Sequence, residues 1–265
     1  MAPMPQHILR IPGIERLALP EARRSIEPLR AYLRECILDG RIPPDTKLSQ
    51  AALAEQLGVS RTPLREVLRM LQEEGLVEFE PNQRMRVAGF DPEALDVTYG
   101  ARIALECLAV AMTIGEFGAQ QRRQAKAVLT GMRRAARERD LGAWFVAHGE
   151  YHRVLSNAAG DPMRGQLRSL ADRSARYIRI EQHVDPADWP KAGDVEHPAI
   201  LAAMVDGDER AAVSLTAHHL ERTALRVLTD CAPDFVPRAV PRAVALVHAG
   251  ASRSVPAAVE PVVGS

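Results

Sequence analysis

Residues 48–68 constrain the fold more than any other part of this 265-residue chain. They predict two short helices joined by a tight turn. Apolar residues at helical spacing give the first helix a buried face, and Gly58 ends it. Ser60 is the predicted N-cap of the second helix, and Pro63 lies in its first turn. Two helices connected in this way form a helix-turn-helix.

The flanking residues extend this motif into a small domain. An amphipathic helix is predicted over residues 29–38, and Gly75 ends the second helix of the motif. Residues 76–79 and 85–87 alternate apolar and polar side chains, as the two strands of a hairpin do. Three helices followed by a two-stranded wing predict a winged helix over residues 25–90.

The second helix of the motif, the recognition helix, begins with residues suited to DNA. Its first turns face base edges and phosphates in the major groove of a bound duplex. We therefore predict that Ser60, Arg61, Thr62 and Arg65 contact double-stranded DNA. The formal net charge of the chain is zero, so no global basic field supports this interpretation. The alternative is that both arginines are ordinary solvated surface.

This part of the chain resembles the GntR family of bacterial transcription regulators. The resemblance covers about residues 25–88 and rests on 37–44, 48–49, 53–54, 58–68 and 75–77. Ala51 departs from the family, which usually has a basic or polar residue there. Arg84 occupies the wing tip, where the family commonly has glycine, and it is a further candidate contact to a phosphate or to the minor groove.

The remainder of the chain predicts a second, helical domain over residues 91–232. The pattern is helical nearly throughout and the connections are short, which predicts an antiparallel bundle of six or seven helices. The whole chain is therefore expected to be mainly α. Residues 1–24 are predicted to form an N-terminal arm. Recurring prolines predict that residues 233–265 form a mostly disordered tail.

The composition favours a protein of the cytoplasm. The three cysteines are far apart in sequence and lack the spacing of metal ligands. An odd number also leaves one cysteine without a disulfide partner, as is typical of a reducing compartment. No run approaches the ~18 apolar residues that cross a membrane, and no secretory h-region is evident at the N-terminus. We expect no membrane partner.

Two histidines mark the helix predicted over residues 141–159. His148 and His152 are four residues apart in the middle of its apolar stripe, so both point into the bundle. A single histidine there would most often be a hydrogen-bonded core residue. Imidazoles at this spacing can bind one ion at about 2.0–2.1 Å, and other helices can supply further ligands.

This half resembles the FCD-type ligand-binding domain of the FadR-like branch of the same family. The resemblance rests on residues 102–106, 151–155, 158–162, 196–201 and 219–220. In many members, an acidic residue and three histidines bind a divalent metal that helps to hold a carboxylate effector. The resemblance implies His152, His197 and His219 as ligands, with His148 in the acidic position. An imidazole there favours a transition metal, chiefly Zn²⁺ with Ni²⁺ possible, over Mg²⁺ or Ca²⁺.

Two residues of this half allow alternatives. His218 competes with His219, because helical periodicity does not separate them well, and the His-Leu ending of the family favours His219. The resemblance implies that Arg102 meets the carboxylate of the effector, a task suited to a planar fork of donors. The alternative for Arg102 is an ion pair with Glu106, one helical turn further on.

Together these features predict a transcriptional regulator. A homodimer would bind a pseudo-palindromic operator, and a small carboxylate would shift the spacing of the two winged helices. One alternative is a metal sensor whose histidine cluster is itself the regulatory site. A metal-dependent hydrolase is weaker, because no acidic residue lies beside the histidines on the apolar face of their helix, and so we expect no enzyme.

Overall fold

The computed structural model describes residues 10–12, 14–17, 26–38, 40–80, 84–184 and 193–251. The helices are α1 (Ile26–Leu38), α2 (Gln50–Leu57), α3 (Arg61–Glu73), α4 (Pro92–Ile114), α5 (Ala119–Glu138), α6 (Leu141–Leu155), α7 (Gly160–Val184), α8 (Gly193–Asp206), α9 (Glu209–Cys231) and α10 (Ala239–Ala251). The strands are β1 (Lys47–Leu48), β2 (Val77–Glu80) and β3 (Arg84–Val87). The predicted mainly helical class is confirmed.

The first three helices and the sheet share one apolar core. Leu33 of α1, Leu53 of α2 and Leu68 of α3 are almost completely buried in it. The sheet is antiparallel, with the order β1-β3-β2. Two strands were predicted, and β1 is the third. It consists of Lys47 and Leu48 alone, and two residues are too few to show the alternation that predicts a strand.

The turn between α2 and α3 has the backbone that the motif predicts. Gly58 has a φ of 72°, in the left-handed region that favours glycine. The Ser49 hydroxyl accepts a hydrogen bond from the Ala52 N–H at 3.3 Å and caps α2. Ser60 holds the N-cap position of α3, but its side chain accepts no hydrogen bond from the helix, contrary to the predicted cap. Ser60 is exposed instead.

Part of the predicted N-terminal arm packs against the winged helix. Ile11 and Ile14 are buried in its core, and the Leu17 N–H donates to the Leu57 carbonyl at 3.1 Å. Residues 1–9, 13 and 18–24 of that arm lie outside the described residues. Two scattered isoleucines have no helical or strand period, so the sequence pattern could not predict that they are core residues.

Six helices, α4 to α9, lie within the range predicted for the helical domain, and α10 lies beyond it. By length and composition, α4 is the one helix among the described residues that could cross a membrane. More than half of its most apolar window, 56%, is nevertheless buried within the fold. The helix also carries Arg102 and Glu106 as a buried ion pair. We therefore interpret α4 as a core helix.

The C-terminal segment corrects the predicted disordered tail. Residues 239–251 form α10, and residues 252–265 lie outside the described part of the chain. Pro241 lies in the first turn of α10, where the backbone N–H groups have no partner within the helix, so a proline there removes no helical hydrogen bond. The prediction counted prolines without considering where in a helix each would lie.

The chain divides into two compact units. One contains the described residues of 1–95, 168–189 and 227–235, and the other contains those of 96–167, 190–226 and 236–265. Within the first unit, Arg176 of α7 donates to the Gly75 carbonyl at 2.6 Å, and Phe90 packs edge-on against Tyr177. The second half of α7 therefore belongs with the winged helix, which the predicted boundary after residue 90 did not anticipate.

Candidate metal centre and DNA-binding surface

The start of α3 is an exposed polar surface. Ser60, Arg61, Thr62 and Arg65 are all exposed, whereas Leu64 between them is completely buried. The first turn contains no acidic residue. Helical spacing thus divides α3 into a face that packs in the core and a face that carries all four predicted contacts, near the helix end that favours negative charge.

The wing adds a second group of arginines. Arg84 begins β3, opposite Glu80 in the strand register, and its side chain lies outside the described part of the structure. The Arg86 guanidinium contacts Glu78 at 2.8 Å and Asp45 at 2.9 Å. Arg86 is therefore engaged by carboxylates around the sheet, and the role predicted for Arg84 stays a prediction.

Four buried histidines from three helices come together in the second unit. His148 and His152 lie on α6, His197 on α8 and His219 on α9, and one nitrogen of each lies within 4.8 Å of the others. The Nε2 atoms of His148 and His152 are 3.1 Å apart. The structure therefore brings together all four residues that the sequence predicted as metal ligands.

The structure also separates the two adjacent histidines of α9. The His219 side chain is 5% exposed and belongs to the cluster, whereas the His218 side chain is 66% exposed. Consecutive residues on a helix point about 100° apart, so only one of them could face the interior here. His218 is thus a natural control for experiments on the cluster.

Two carboxylates contact the outer nitrogens of this cluster. Glu106 Oε1 contacts Nδ1 of His152, and Glu196 Oε2 lies 2.7 Å from Nδ1 of His219. A carboxylate at Nδ1 favours the tautomer with its proton there and leaves Nε2 as the atom that can bind a metal. The Nε2 of His152 faces His148. Carboxylate-backed imidazoles of this kind are typical of metal-binding histidines.

Arginines hold both carboxylates. Arg102 Nε donates to Glu106 Oε2 at 3.0 Å, and Arg222 Nη2 donates to Glu196 Oε2 at 2.7 Å. The buried ion pair considered as the alternative for Arg102 is therefore present. The guanidinium of Arg102 also lies over the ring of Tyr99, 5.8 Å from its centroid.

The carboxylates beside the histidines were missed because they lie on other helices. Glu106 belongs to α4 and Glu196 to α8, so the pattern of the α6 face could not reveal them. Only the i, i+4 spacing of Arg102 and Glu106 gave a signal, and it pointed to an ion pair. The prediction considered acidic residues only on the apolar face of α6, and the two carboxylates reach the histidines from α4 and α8.

Burial favours the neutral form of two of the imidazoles, those of His148 and His219. Burial lowers the pKa of His148 well below its usual range, and the neighbouring histidines lower it further. Burial also lowers the pKa of His219 to about 4, although Glu196 opposes this shift. Burial raises the pKa of Glu106, but His152 and Arg102 together lower it by more, so this carboxylate is ionised at neutral pH. Neutral imidazoles are the form that binds metals.

The donor set fits a transition metal ion. Nitrogens bound about 2.0–2.1 Å from a tetrahedral Zn²⁺ lie roughly 3.3 Å apart, and the His148–His152 separation of 3.1 Å is close to that value. The His148 ring is stacked on Trp144, with centroids 4.5 Å apart, which restricts its orientation. The ligand nitrogens of all four histidines lie within 4.8 Å of one another.

Two family models match this chain. The model of bacterial regulatory proteins of the gntR family matches residues 26–87, and the FCD domain model matches residues 97–222. The first range contains the whole winged helix, and the second contains all four histidines of the cluster.

Individual proteins agree with the family models. The HTH-type transcriptional repressor GlaR of Escherichia coli K12 is 29% identical over 196 residues, which cover 71% of this chain and 89% of GlaR. An uncharacterized HTH-type transcriptional regulator of Agrobacterium vitis is 33% identical over 127 residues, which cover 46% of this chain and 74% of the relative. The solved structure of E. coli McbR/YncC has a TM-score of 0.66 at 20% identity, covers 77% of this chain and 97% of its own, and shows a shared fold. This chain belongs to the GntR family of bacterial transcription regulators, with a winged helix-turn-helix followed by an FCD domain.

Proposed function

We propose that this regulator binds a pseudo-palindromic DNA operator as a homodimer, and that a small carboxylate held at a histidine-bound metal ion controls that binding. The observation that carries the proposal is the buried cluster of His148, His152, His197 and His219, two of whose rings are backed by carboxylates. A cluster of neutral imidazoles in a helical core has little structural purpose without a ligand, because burying polar groups costs free energy.

The recognition surface supplies the DNA contacts of this proposal. Arg61 and Arg65 would read base edges or hold phosphates, and Ser60 and Thr62 would donate to the backbone of the duplex. We assign Arg84 at the wing to a phosphate or to the minor groove. Since the operator is chromosomal DNA, we infer that the protein works in the cytoplasm.

Zinc is the ion that suits the cluster best, with nickel as the second choice. Four imidazoles without a carboxylate ligand carry no negative charge, and nitrogen-rich sites select transition metals over Mg²⁺ or Ca²⁺. His148 occupies the place of the family's acidic ligand. The metal would polarise and hold a carboxylate group of the effector, and the histidines would fix its position.

Arg102 would supply the charge that attracts the effector. A guanidinium has five N–H donors in a planar fork, and one of them, Nε, is used by Glu106. Because Glu106 also contacts His152, a carboxylate drawn to Arg102 would disturb a residue that orients a metal ligand. The effector and the metal site would thus be linked through one side chain.

An exposed apolar face on α4 favours a homodimer. Val97, Leu108 and Met112 are between 45% and 58% exposed, and the exposed Ala101 and Ala104 lie between them at intervals of three and four residues. Such spacing places all five on one side of a helix. We propose that this face pairs with a second copy of the chain, which would present two winged helices to two half-sites.

Two alternatives have specific support. The cluster could sense the metal itself, because four histidines would supply all the ligands of a tetrahedral site and Arg102 is engaged by Glu106. A metal-dependent hydrolase gains some support from Glu106 and Glu196, since a carboxylate can act as a general base. Both carboxylates are held by arginines, however, which suits a positioning role better than proton transfer.

The test begins with an operator duplex selected from a random-sequence pool by the wild-type protein. We would measure its affinity for metal-stripped and Zn²⁺-loaded protein, with and without a panel of sugar acids and dicarboxylates. The proposal expects a carboxylate to change the affinity roughly 5- to 150-fold, the usual range of allosteric coupling, and only in the loaded protein. His152→Ala should abolish the response, and His218→Ala should retain it.

Each alternative gives a different result in the same experiment. A response to Zn²⁺ alone, with no further effect of any carboxylate, would identify a metal sensor. Turnover of esters or lactones by the loaded protein would identify an enzyme. A carboxylate that acts equally on metal-stripped protein and on His152→Ala would contradict the proposed metal site.

A further inference from the structure

The described part of the N-terminal arm, residues 10–12 and 14–17, is bound to the helix-turn-helix chiefly through one side chain. The Gln56 side-chain amide of α2 accepts the Ile11 N–H at 3.0 Å, and its NH₂ group donates to the carbonyls of Ile11 and Ile14 at 2.8 and 3.0 Å. The Tyr32 hydroxyl accepts the Glu15 N–H at 2.9 Å. These bonds fix the backbone of the arm at several points along its length.

The arm brings Arg16 to the turn between α2 and α3. A Cβ atom on Gly58 would lie 2.6 Å from Nε of Arg16 and 3.1 Å from its Cγ, so the side chain of Arg16 runs directly over this glycine. Gly58 is two residues before Ser60, the N-cap of α3. An exposed cation is therefore held beside the helix end that carries the predicted DNA contacts.

We propose that Arg16 is an additional phosphate contact of this regulator, presented at the helix-turn-helix by an arm that Gln56 holds in place. The partner is the sugar-phosphate backbone of double-stranded DNA, which a guanidinium binds through charge and paired hydrogen bonds. This inference rests on DNA binding by the winged helix, and it is independent of the metal ion and the effector.

Two features favour a DNA contact over simple packing. Arg16 and Gly58 are both exposed, so the guanidinium does not fill a buried cavity. The side chain is exposed although its backbone neighbours Ile14 and Leu17 are buried or half-buried, as expected for a group whose charged end meets solvent or a ligand. A contact made by the arm would also add affinity without requiring the chain to be basic overall.

The experiment uses the full-length protein and the selected operator duplex, with affinity measured by fluorescence anisotropy over a series of salt concentrations. Arg16→Met keeps an apolar stem over Gly58 and removes the charge, whereas Arg16→Lys keeps the charge. Arg16→Met should weaken binding roughly three- to tenfold at physiological salt and should reduce the slope of log affinity against log salt by about 1 for each arm that contacts DNA. Arg16→Lys should retain most of both.

Two further variants act as controls. Arg123→Met removes an exposed arginine from α5 and should change neither the affinity nor the slope. Gln56→Ala should weaken binding about as much as Arg16→Met. The double variant should lose little more affinity, because both substitutions would remove the same contact between Arg16 and a phosphate. If the Gln56→Ala protein is unfolded at the temperature of the assay, the two Arg16 variants still test whether Arg16 contacts DNA.

Three outcomes would overturn the inference. Unchanged affinity and slope for Arg16→Met would remove Arg16 from the contact surface. An equal loss for Arg16→Lys and Arg16→Met would show that the side chain matters for its shape and not for its charge. Failure of the wild type to bind any duplex would contradict DNA binding itself, and that failure is distinguishable from the other two.

Discussion

At the scale of single residues, two glutamates orient two of the buried histidines. Glu106 and Glu196 each contact an Nδ1 atom, and each is held in turn by an arginine. The arginine fixes the carboxylate, and the carboxylate fixes the tautomer of the imidazole. The proposed metal site therefore includes these glutamates and arginines as well as the four histidines.

Replacing one of these glutamates should weaken metal binding without removing a ligand. For Glu196→Gln we expect Zn²⁺ affinity to fall about 10- to 100-fold, the usual cost of losing an outer carboxylate partner of a histidine ligand. The measurement is competition with a chromophoric chelator. Glu150→Gln is the matched control, because Glu150 is ion-paired with Arg153 on the other side of α6 and lies outside the cluster. Equal affinities for the two variants would contradict the positioning role.

At the scale of elements, α10 depends on a single carboxylate from another helix. Asp96 of α4 accepts hydrogen bonds from the backbone N–H groups of Arg238, Ala239 and Val240 at 2.8–2.9 Å. These groups would otherwise be unsatisfied at the start of α10. The close approach of Ala239 to Gly100 on α4 leaves no space there for a side chain.

Removal of this cap should release α10 and leave the rest of the fold intact. For Asp96→Ala we expect the free energy of unfolding to fall by about 1–2 kcal/mol, as for other lost N-caps, and amide exchange over residues 239–251 to accelerate. Asp208→Ala, which removes an exposed cap from α9, is the control and should not affect α10. Unchanged exchange in α10 after Asp96→Ala would contradict this account.

The elements also show what the sequence could predict. The recognition helix and the paired histidines of α6 were predictable, because each lies within one helix and follows its period. Glu196 beside His219, Ile11 in the winged-helix core and Asp96 below α10 were not, because each contact joins distant segments through tertiary packing. Local periodicity indicates which face of a helix is buried, but it does not indicate which other segment packs against that face.

At the scale of the whole molecule, the proposed homodimer depends on the apolar face of α4. Leu108 is 50% exposed near the middle of that face. Placing a charge there should prevent two copies from pairing, because a carboxylate in an apolar interface would be desolvated without a partner. The same change should leave the fold of each chain intact, since half of this residue is already exposed to solvent.

Sedimentation of Leu108→Glu should therefore show a monomer, with an unchanged circular dichroism spectrum and weaker operator binding. Val146→Glu is the control, because Val146 is 75% exposed on α6, outside the α4 face. That variant should sediment like the wild type, as a dimer. A dimeric Leu108→Glu protein would place the interface elsewhere, for instance in the winged helix or the N-terminal arm.

Whether the histidine cluster is a metal site is shown most simply by the metal content of the purified, reconstituted protein. Elemental analysis after incubation with Zn²⁺ and removal of excess ion should find about one transition-metal ion per chain, the content of a single four-ligand site. His152→Ala should lose most of it, His218→Ala should keep it, and EDTA should lower the melting temperature of the wild type more than that of His152→Ala. Absence of metal from the reconstituted wild type, or equal metal content in His152→Ala, would contradict the account and leave Arg102 as the principal candidate for binding an effector.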